Sequence, residues 1–543
     1  MASSKLIDIL TGTKPAAARR LAIMAGLAGL LQALVVVIIN LGAKKIGQGL
    51  DTRTLLMFAV CITGFIIAKR LTLFGSARCI YGIVYDLRLD LVDKIRKARL
   101  QSFEGIGAEN IVGLLTQNTE VIIEAAKALS HAFSAAVMLF FSFIYILVLS
   151  PQAFFLTVGL LAAGVHVYLS ANTKIRPKIR QANQVENRFH GLLAQLLNGF
   201  KEVKMSPEKS RDLFENAIRA NSETARSQKL AAEYLLIGNN FFVQVFFFLL
   251  IAAVVFILPQ FGGQNLGMYR DLIAVLLFCI GSIVSVVQVI PILSKADAAL
   301  NDLHELAETL AGADDEKAAA PEPPPAAGEP LRGIELKGLR FNYAGEEGRQ
   351  GFGLGPLDLR LLPGKAVFLT GGNGGGKSTL LKLVAGLYHP QAGQILWNGA
   401  EVTEENQAHY RKLFSVIFTD FHLFDRLYGL PPQDPAEVER LLARMQLDHA
   451  TAFKGDRFSR LNLSTGQKKR LAIIAAYLEA RPVFLFDEVA ADQDPGFREY
   501  FYTVLLKEMT GQGKAVIIAT HDERYFHLAD LCLKMEFGQL VDR

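Results

Sequence analysis

Gly371-Gly372-Asn373-Gly374-Gly375-Gly376-Lys377-Ser378-Thr379 fits G-x-x-x-x-G-K-[ST], the pattern of a phosphate-binding loop. Just before it, Ala366-Val367-Phe368-Leu369-Thr370 reads as a buried strand, and Leu380 to Gly386 reads as the body of a helix. Phosphate binding needs that strand–loop–helix context. The glycines let the backbone turn so that its N–H groups face inward, and the helix N-terminus adds partial positive charge. Lys377 can reach the β- and γ-phosphates of a nucleotide, and the Ser378 hydroxyl is a ligand for Mg²⁺. A flexible glycine linker would require neither Lys-Ser at this offset nor the apolar run ahead of it.

Further along, Pro482-Val483-Phe484-Leu485-Phe486 reads as a second buried strand, ending in Asp487-Glu488. A carboxylate at a parallel strand end beside a phosphate loop can hold Mg²⁺ through its waters, the role read for Asp487. Glu488 is placed to orient or deprotonate an attacking water. Asp-Glu pairs at strand ends are common in α/β proteins, and the intact phosphate loop is what gives this one weight. Three weaker strings accompany them: Leu463-Ser464-Thr465-Gly466-Gln467, Ala491-Asp492-Gln493-Asp494 and Thr520-His521-Asp522. His521 follows the apolar run Ala515 to Ala519, where a lone histidine is more often structural.

The rest of the chain is too apolar for a soluble protein. Hydrophobic residues make up 51% of 543, and the mean hydropathy is +0.28, so part of it lies in a lipid bilayer. A net charge of +5 gives no global support for nucleic-acid binding. Cys61, Cys79, Cys279 and Cys532 have no metal-type spacing and suggest no disulfide framework. Residues 1–19 lack the pattern of a cleavable signal.

A membrane-spanning helix needs about 20 mostly apolar residues. Such runs fall near 21–42, 54–76, 131–150, 152–172, 235–258 and 271–294. Ser150-Pro151 separates the third and fourth with almost no loop. Basic residues flank the first run (Lys14, Arg19, Arg20) and fill the connections after the second (Arg88, Lys94, Arg96, Lys97, Arg99) and fourth (Lys174, Arg176, Lys178, Arg180, Arg188). The opposite connections carry fewer, namely Lys44, Lys45 and Arg53 in one and Arg270 in another. The positive-inside rule therefore places both termini and the two long connections in the cytoplasm. Those connections, 77–130 and 173–234, read as helical extensions broken near Phe103–Ala108 and Leu197–Glu202. Spacing alone leaves each tip open between an ordinary hairpin end and a cross-helix touching a cytoplasmic domain.

Charge at mid-bilayer costs ~3 kcal/mol or more, so Lys69-Arg70 either faces a wet cavity or snorkels. Asn40, His166, Asn239, Asn240, Gln244 and Gln288 are further polar candidates, some of which simply bond between helices. The organisation expected is a membrane domain of six helices over 1–310, a Pro/Ala-rich linker over 311–330, and an α/β phosphate-loop domain over 331–543.

Taken in order and spacing, these strings resemble the ATP-binding cassette superfamily, and the six runs followed by one cassette resemble its exporter-type half-transporters. The resemblance implies a homodimer arranged head to tail. Each ATP would lie between Gly371–Thr379 of one protomer and Ser464, Gly466 and Gln467 of the other, with Asp494 nearby. It implies a γ-phosphate contact for His521 and adenine stacking for Tyr343, in Arg340-Phe341-Asn342-Tyr343, although a core tyrosine fits that place too. Phe200-Lys201-Glu202-Val203-Lys204, Phe418-Thr419-Asp420-Phe421-His422-Leu423-Phe424, Leu463 to Leu471 and Asp487 to Pro495 resemble the cyclic-peptide exporter subfamily. That subfamily implies ATP-driven export of a cyclic or non-ribosomal peptide across the bacterial inner membrane, with the cassette cytoplasmic. A lipid or lipopeptide flippase and an exporter-fold siderophore importer are the neighbouring alternatives. An ATP-gated channel or nucleotide-sensing receptor is the alternative of another class, disfavoured by the catalytic carboxylate Glu488. Three positions depart from the superfamily pattern. Thr419 replaces the usual Gln, so that Mg²⁺ contact would need a water or Asp420. Thr465 replaces a Gly, and Ala491 a Ser.

Overall fold

A computed structural model describes residues 15–44, 51–260, 266–311, 330–343 and 351–542. Lys14, Lys45 and nearly all of the linker expected at 311–330 lie outside the described residues, as do the side chains of Arg176, Arg180 and Asn240. The chain divides into two compact units, Met1–Leu91 with Glu109–Leu306, and Val92–Ala108 with Ala307–Arg543.

The helices run in order α1 Pro15–Lys44, α2 Thr52–Lys97, α3 Leu100–Ile106, α4 Ala108–Leu149, α5 Pro151–Asn198, α6 Phe200–Met205, α7 Pro207–Asp212, α8 Ala220–Ala252 and α9 Leu266–Ala311. Two π turns, Leu213–Arg219 and Ala253–Ile257, carry α7 and α8 into one helical rod over Pro207–Gln260. Six helices among the described residues are long and apolar enough to cross a membrane; five of the expected spans lie inside one of them, and the span expected at 131–150 overruns its helix by Ser150 alone. The near-absent loop at Ser150-Pro151 has a local cause. Ser150 caps α5 by accepting the Ala153 N–H at 3.2 Å, and Pro151 occupies the first helical position, where no N–H is needed.

The first unit is held by small residues and buried contacts at helix crossings. A Cβ on Gly29 would come within 2.7 Å of the Ser134 carbonyl, and one on Gly164 within 2.7 Å of the Phe246 ring, so glycine permits both close approaches. Met138 and Cys279 are fully buried in the shared core, where Ser282 donates to the Met138 sulfur at 3.3 Å. Near the C-terminal end of α1 and the N-terminal end of α9, Lys44 Nζ lies 2.5 Å from Asp271 Oδ2, and Asn40 donates to the Asp271 carbonyl at 3.4 Å. Asn40 is thus a tie between helices. Arg70 lays its guanidinium 5.6 Å from the centre of the Phe74 ring. Lys69 is half-buried, and His166, Gln244 and Gln288 are exposed.

The second unit is an α/β domain with an antiparallel sheet ordered β2-β1-β4-β5 and a larger sheet ordered β12-β11-β3-β10-β9-β6. The strands of the first are β1 Ile334–Asn342, β2 Gly353–Leu361, β4 Ala392–Trp397 and β5 Ala400–Glu401. Those of the second are β3 Ala366–Thr370, β6 Phe414–Ile417, β9 Val483–Asp487, β10 Ala515–Ala519, β11 Leu531–Glu536 and β12 Gln539–Asp542, while β7 Phe453–Lys454 and β8 Arg457–Phe458 pair as a separate antiparallel hairpin. Every residue of β3, β9 and β10 is buried, as expected of parallel strands covered on both faces. Alternate residues serve opposite cores. Val367 and Leu369 face the core holding α10 (Lys377–Val384), while Phe368 and Ala366 face the one holding α12 (Pro435–Arg444) and α13 (Thr465–Glu479). Between α10 and α12 lies the short α11, Gln407–Arg411.

Segment Val92–Ala108 belongs to this second unit. The break expected at Phe103–Ala108 falls at two places, Ala98-Arg99 and Gly107, which encloses α3 as a separate turn of helix. Gly107 takes φ +83°, a conformation that favours glycine. Leu100 packs against the first core, Arg99 pairs with Glu404 at 2.6 Å, and Glu104 pairs with Lys382 at 2.7 Å. This tip is therefore a docked cross-helix.

The Lys44–Asp271 pair yields an asymmetric expectation. Asp271 is buried, whereas Lys44 is 42% exposed. Lys44→Met orphans a buried carboxylate, an effect of ~3–5 kcal/mol when no partner remains, here offset in part by Arg270 at 3.9 Å. Asp271→Asn leaves only a solvated lysine. Thermal unfolding in detergent should show Lys44→Met the more destabilised of the two, and equal shifts would contradict the pairing.

Candidate functional site

The parallel register brings three strand ends together. β10 lies between β3 and β9, with Ala519 beside Leu369 on one side and Asp487 on the other. The loop Gly371–Gly376 leaves the end of β3, Glu488 follows β9, and Thr520-His521 follows β10. A crevice beyond the carboxyl ends of parallel strands is where α/β sheets place ligands.

The loop's backbone is that of an anion cradle. Gly371 and Gly376 have φ of +126° and +105°, and a Cβ on Gly371 would meet the Met535 carbonyl at 2.2 Å. Only glycine fits there. Gly374 also has positive φ, Gly375 packs beneath the same carbonyl, and Asn373 and Ser378 are exposed. Lys377 is buried at the loop's mouth, donating to the carbonyls of Gly371 at 2.8 Å and Gly372 at 3.1 Å. Burial pushes its ammonium pKa down, and the Glu488 and Asp487 carboxylates oppose the shift. An ammonium has three donors and can turn them to phosphate oxygens.

His521 Nε2 stands between two partners, 3.1 Å from Glu488 Oε1 and 3.2 Å from Lys377 Nζ. Protonated, that nitrogen donates to Glu488; unprotonated, it accepts from Lys377. Glu488 itself has φ +51°, a strained conformation for a side chain with a Cβ. Two bonds hold it there: its N–H donates to the Ala519 carbonyl at 3.0 Å, and Lys469 Nζ donates to its carbonyl at 2.8 Å. Asp487 is buried, and Thr419 donates to its Oδ2 at 3.1 Å. Thr419 thus orients the carboxylate expected to hold Mg²⁺, while Asp420 is exposed.

Ser464 caps α13 in a reciprocal box. Its Oγ accepts the Gln467 N–H at 3.3 Å, and Gln467 Oε1 accepts the Ser464 N–H at 3.1 Å. The serine's own proton remains available for an outside acceptor. Asp494 caps α14, Pro495–Tyr500, through the Phe497 N–H at 2.9 Å and also binds Arg470. The Phe497 N–H, and then Arg470, hold its carboxyl below the usual carboxylate range. Tyr343 is half-buried, with its hydroxyl 3.1 Å from Thr379 Oγ1.

Two contributions escaped the sequence reading. Lys469, buried in α13, pairs with Asp492 at 2.6 Å, and Gln493 joins Arg470 at 2.8 Å and the Gly466 carbonyl at 3.0 Å. These contacts fasten the N-terminus of α13 to the turn at 491–494. The basic run Lys468-Lys469-Arg470 directly before the apolar stretch Leu471 to Ala476, followed by Asp492 and Asp494, was the available signal. Phe352 is the other. It is 38% exposed, and its ring lies about 3.2 Å from where a Cβ on Gly376 would stand, so it forms an apolar wall beside the loop.

The close packing at Gly466 is testable. A Cβ there would lie 2.9 Å from the Asp492 carbonyl, whereas nothing lies within 4 Å of one on Gly372. Gly466→Ala should destabilise the cassette by about 1–3 kcal/mol and Gly372→Ala by no more than about 0.5. Thermal unfolding of the full chain distinguishes them, and the reverse order would contradict this packing.

Comparison with known proteins agrees with this fold. Residues 354–491 match the model described as ABC transporter, and residues 21–285 match that described as ABC transporter transmembrane region. The chain is 32% identical over 474 residues to ATP-binding protein SyrD of Pseudomonas syringae pv. syringae, covering 84% of this chain and 82% of that one. It is 23% identical over 501 residues to an ATP-dependent lipid A-core flippase of Aromatoleum aromaticum, covering 86% and 78%. In fold it is similar to a bacterial Atm1-family ABC exporter solved with ATP bound, with TM-score 0.77 at 17% identity over 96% of this chain and 95% of the other. The chain therefore belongs to the ATP-binding cassette transporters, as an exporter-type half-transporter with one transmembrane region followed by one cassette.

Proposed function

We propose that this protein works as a homodimer in the bacterial inner membrane, hydrolysing ATP on the cytoplasmic side to export a cyclic or non-ribosomal peptide. The observation that carries the ATP chemistry is the convergence of Lys377, Glu488 and His521 at three adjacent strand ends. Support for the peptide comes from the Thr419-Asp420-Phe421-His422 and Ala490 to Pro495 strings and from the similarity to SyrD. The flippase relatives favour lipid movement as the second reading.

The residues fit Mg²⁺ as nucleotide sites commonly bind it, through one hydroxyl, one carboxylate, waters and substrate phosphate. Ser378 and Asp487 would hold the ion, with Thr419 fixing the Asp487 rotamer. When bound, Mg²⁺ supplies charge neutralisation at the β- and γ-phosphates. The loop N–H groups and Lys377 bind and orient the phosphates. Glu488 accepts a proton from the water as its oxygen attacks the γ-phosphorus and the bond to the ADP oxygen breaks. His521, bonded to Glu488, positions that carboxylate and can donate to a γ-phosphate oxygen. Tyr343 and Phe352 bound the adenine side. In the dimer, Ser464, Gly466 and Gln467 of one protomer meet the γ-phosphate held by the other, and Asp494 holds that surface in place. Closure of the cassettes opens the membrane cavity outward, and hydrolysis resets it.

Glu488→Gln should keep nucleotide affinity and lose about 10²–10⁴ in turnover, whereas Lys377→Ala should weaken binding itself. An ATPase assay beside a nucleotide-binding assay separates them, and wild-type turnover in Glu488→Gln would sink the assigned role. Chains with Lys377→Ala mixed with chains with Gly466→Asp should recover one working site per heterodimer. No recovery in well-folded mixtures would argue against a shared site.

For the substrate, a cyclic or acylated peptide on the cassette side of inside-out vesicles should stimulate ATPase activity and accumulate in the lumen. Uptake only in right-side-out vesicles would mean import. Transbilayer movement of lipid with no peptide transport would establish the flippase.

A further inference from the structure

One face of α10 is wired to α3. Thr379 and Lys382 stand three residues apart on that helix and so share a face. Lys382 Nζ pairs with Glu104 Oε1 at 2.7 Å. Thr379 Oγ1 lies 3.1 Å from Tyr343 Oη, which donates to Tyr388 Oη at 3.4 Å. Tyr388 in turn donates to Glu104 Oε2. Burial, then Glu104 and Tyr343, raise the Tyr388 pKa well above its ordinary value, so the phenol stays protonated.

Counting protons fixes the direction of this chain. Each hydroxyl has one proton. That of Tyr388 goes to Glu104 and that of Tyr343 goes to Tyr388, so the bond between Thr379 and Tyr343 is donated by Thr379. Thr379 lies in the first turn of α10, where a bound phosphate would sit. An anionic phosphate oxygen is a stronger acceptor than a phenol, by roughly a factor of two in bond strength. Once the Thr379 proton turns to phosphate, its oxygen accepts instead, and the Tyr343 proton turns toward it. Tyr388 then loses one of its two donors, keeping only Lys382 Nζ at 3.5 Å, and its bond to Glu104 weakens, since bonds in a chain strengthen one another by about 10–30% each.

We propose that Thr379, Tyr343, Tyr388 and Glu104 form a hydrogen-bonded relay through which nucleotide in the phosphate loop loosens the cassette's hold on α3, with Tyr343, Tyr388 and Glu104 as positioning residues. Lys382 is the parallel ionic link that keeps α3 docked while the relay changes. By linkage the effect is reciprocal, so the hold on α3 also opposes nucleotide binding. This assigns the Tyr343 hydroxyl a function separate from any stacking by its ring. It rests on the reading that ATP occupies the loop.

Hydrogen exchange of the full-length protein in lipid nanodiscs, with and without a non-hydrolysable ATP analogue, tests the relay. In the wild type, amides over residues 99–107 should exchange about threefold faster when the analogue is bound. Tyr388→Phe keeps the ring stacked 5.0 Å from that of Phe341, so packing alone predicts wild-type behaviour. The relay predicts faster exchange already without nucleotide, no further rise with it and, by the same linkage, affinity about threefold tighter than wild type. Tyr343→Phe should also abolish the rise, and it should bind the analogue about threefold more tightly because Thr379 is released. It serves equally if Tyr388→Phe fails to fold. A wild-type rise preserved in either folded variant overturns the relay, as does a wild type that binds the analogue without any change at 99–107. Failure of the wild type to bind the analogue at all would instead overturn the ATP reading.

Discussion

Parallel pairing of β10 between β3 and β9 is the constraint on which the catalytic unit depends. It places the ends of three buried strands side by side, so that a lysine, a glutamate and a histidine from distant parts of the chain share hydrogen bonds. The strands can lie there because every one of their residues is buried, with alternate side chains serving two separate cores. Sheet, loop and α10 are one construction: the Met535 carbonyl of β11 presses on the loop so closely that Gly371 admits no side chain.

On this rigid frame one residue is held under strain. Glu488 occupies a left-handed backbone conformation, fixed by Ala519 from the neighbouring strand and by Lys469 from α13. Such conformations persist only when the surroundings over-determine them. Here the surroundings include the segment expected to face a second protomer, so the geometry of the carboxylate and that of the α13 N-terminus have a shared support. Thr419 plays the corresponding part for Asp487. A side chain shorter than the usual glutamine lines the same place, and it reaches the carboxylate.

The architecture was largely legible in the sequence because its signals are local. Apolar runs of sufficient length mark the six spans, and buried parallel strands write themselves as short runs such as Ala366 to Thr370. The glycine pattern defines the loop through backbone sterics alone. The ends of helices were less legible. The second span, read over 54–76, continues as α2 to Lys97, as the helical reading of 77–130 expected, but the break at Ala98-Arg99, ahead of the one at Gly107, carries no stop signal. Contacts between residues far apart in sequence were not legible either. Nothing local says that Lys469 reaches Asp492, that Glu104 meets Tyr388, or that the hydroxyl of Tyr343 has a partner in Thr379. The polar residues of the membrane half, likewise, had to be sorted by place: Asn40 ties α1 to α9, which its composition did not reveal.

The Lys469–Asp492 pair also bears on how such cassettes can be recombined. Lys469 has only 4% of its side chain exposed, and removing the carboxylate would leave a buried ammonium whose desolvation costs several kcal/mol. The segment from the α13 N-terminus to the turn at 491–494 is consequently a single heritable block. A crossover between residues 470 and 491, joining this chain to a cassette with neutral residues at both positions, would pair a lysine with no acid or an acid with no lysine. Chimeras cut outside the block preserve the match, so viable junctions fall before Leu463 or after Asp494.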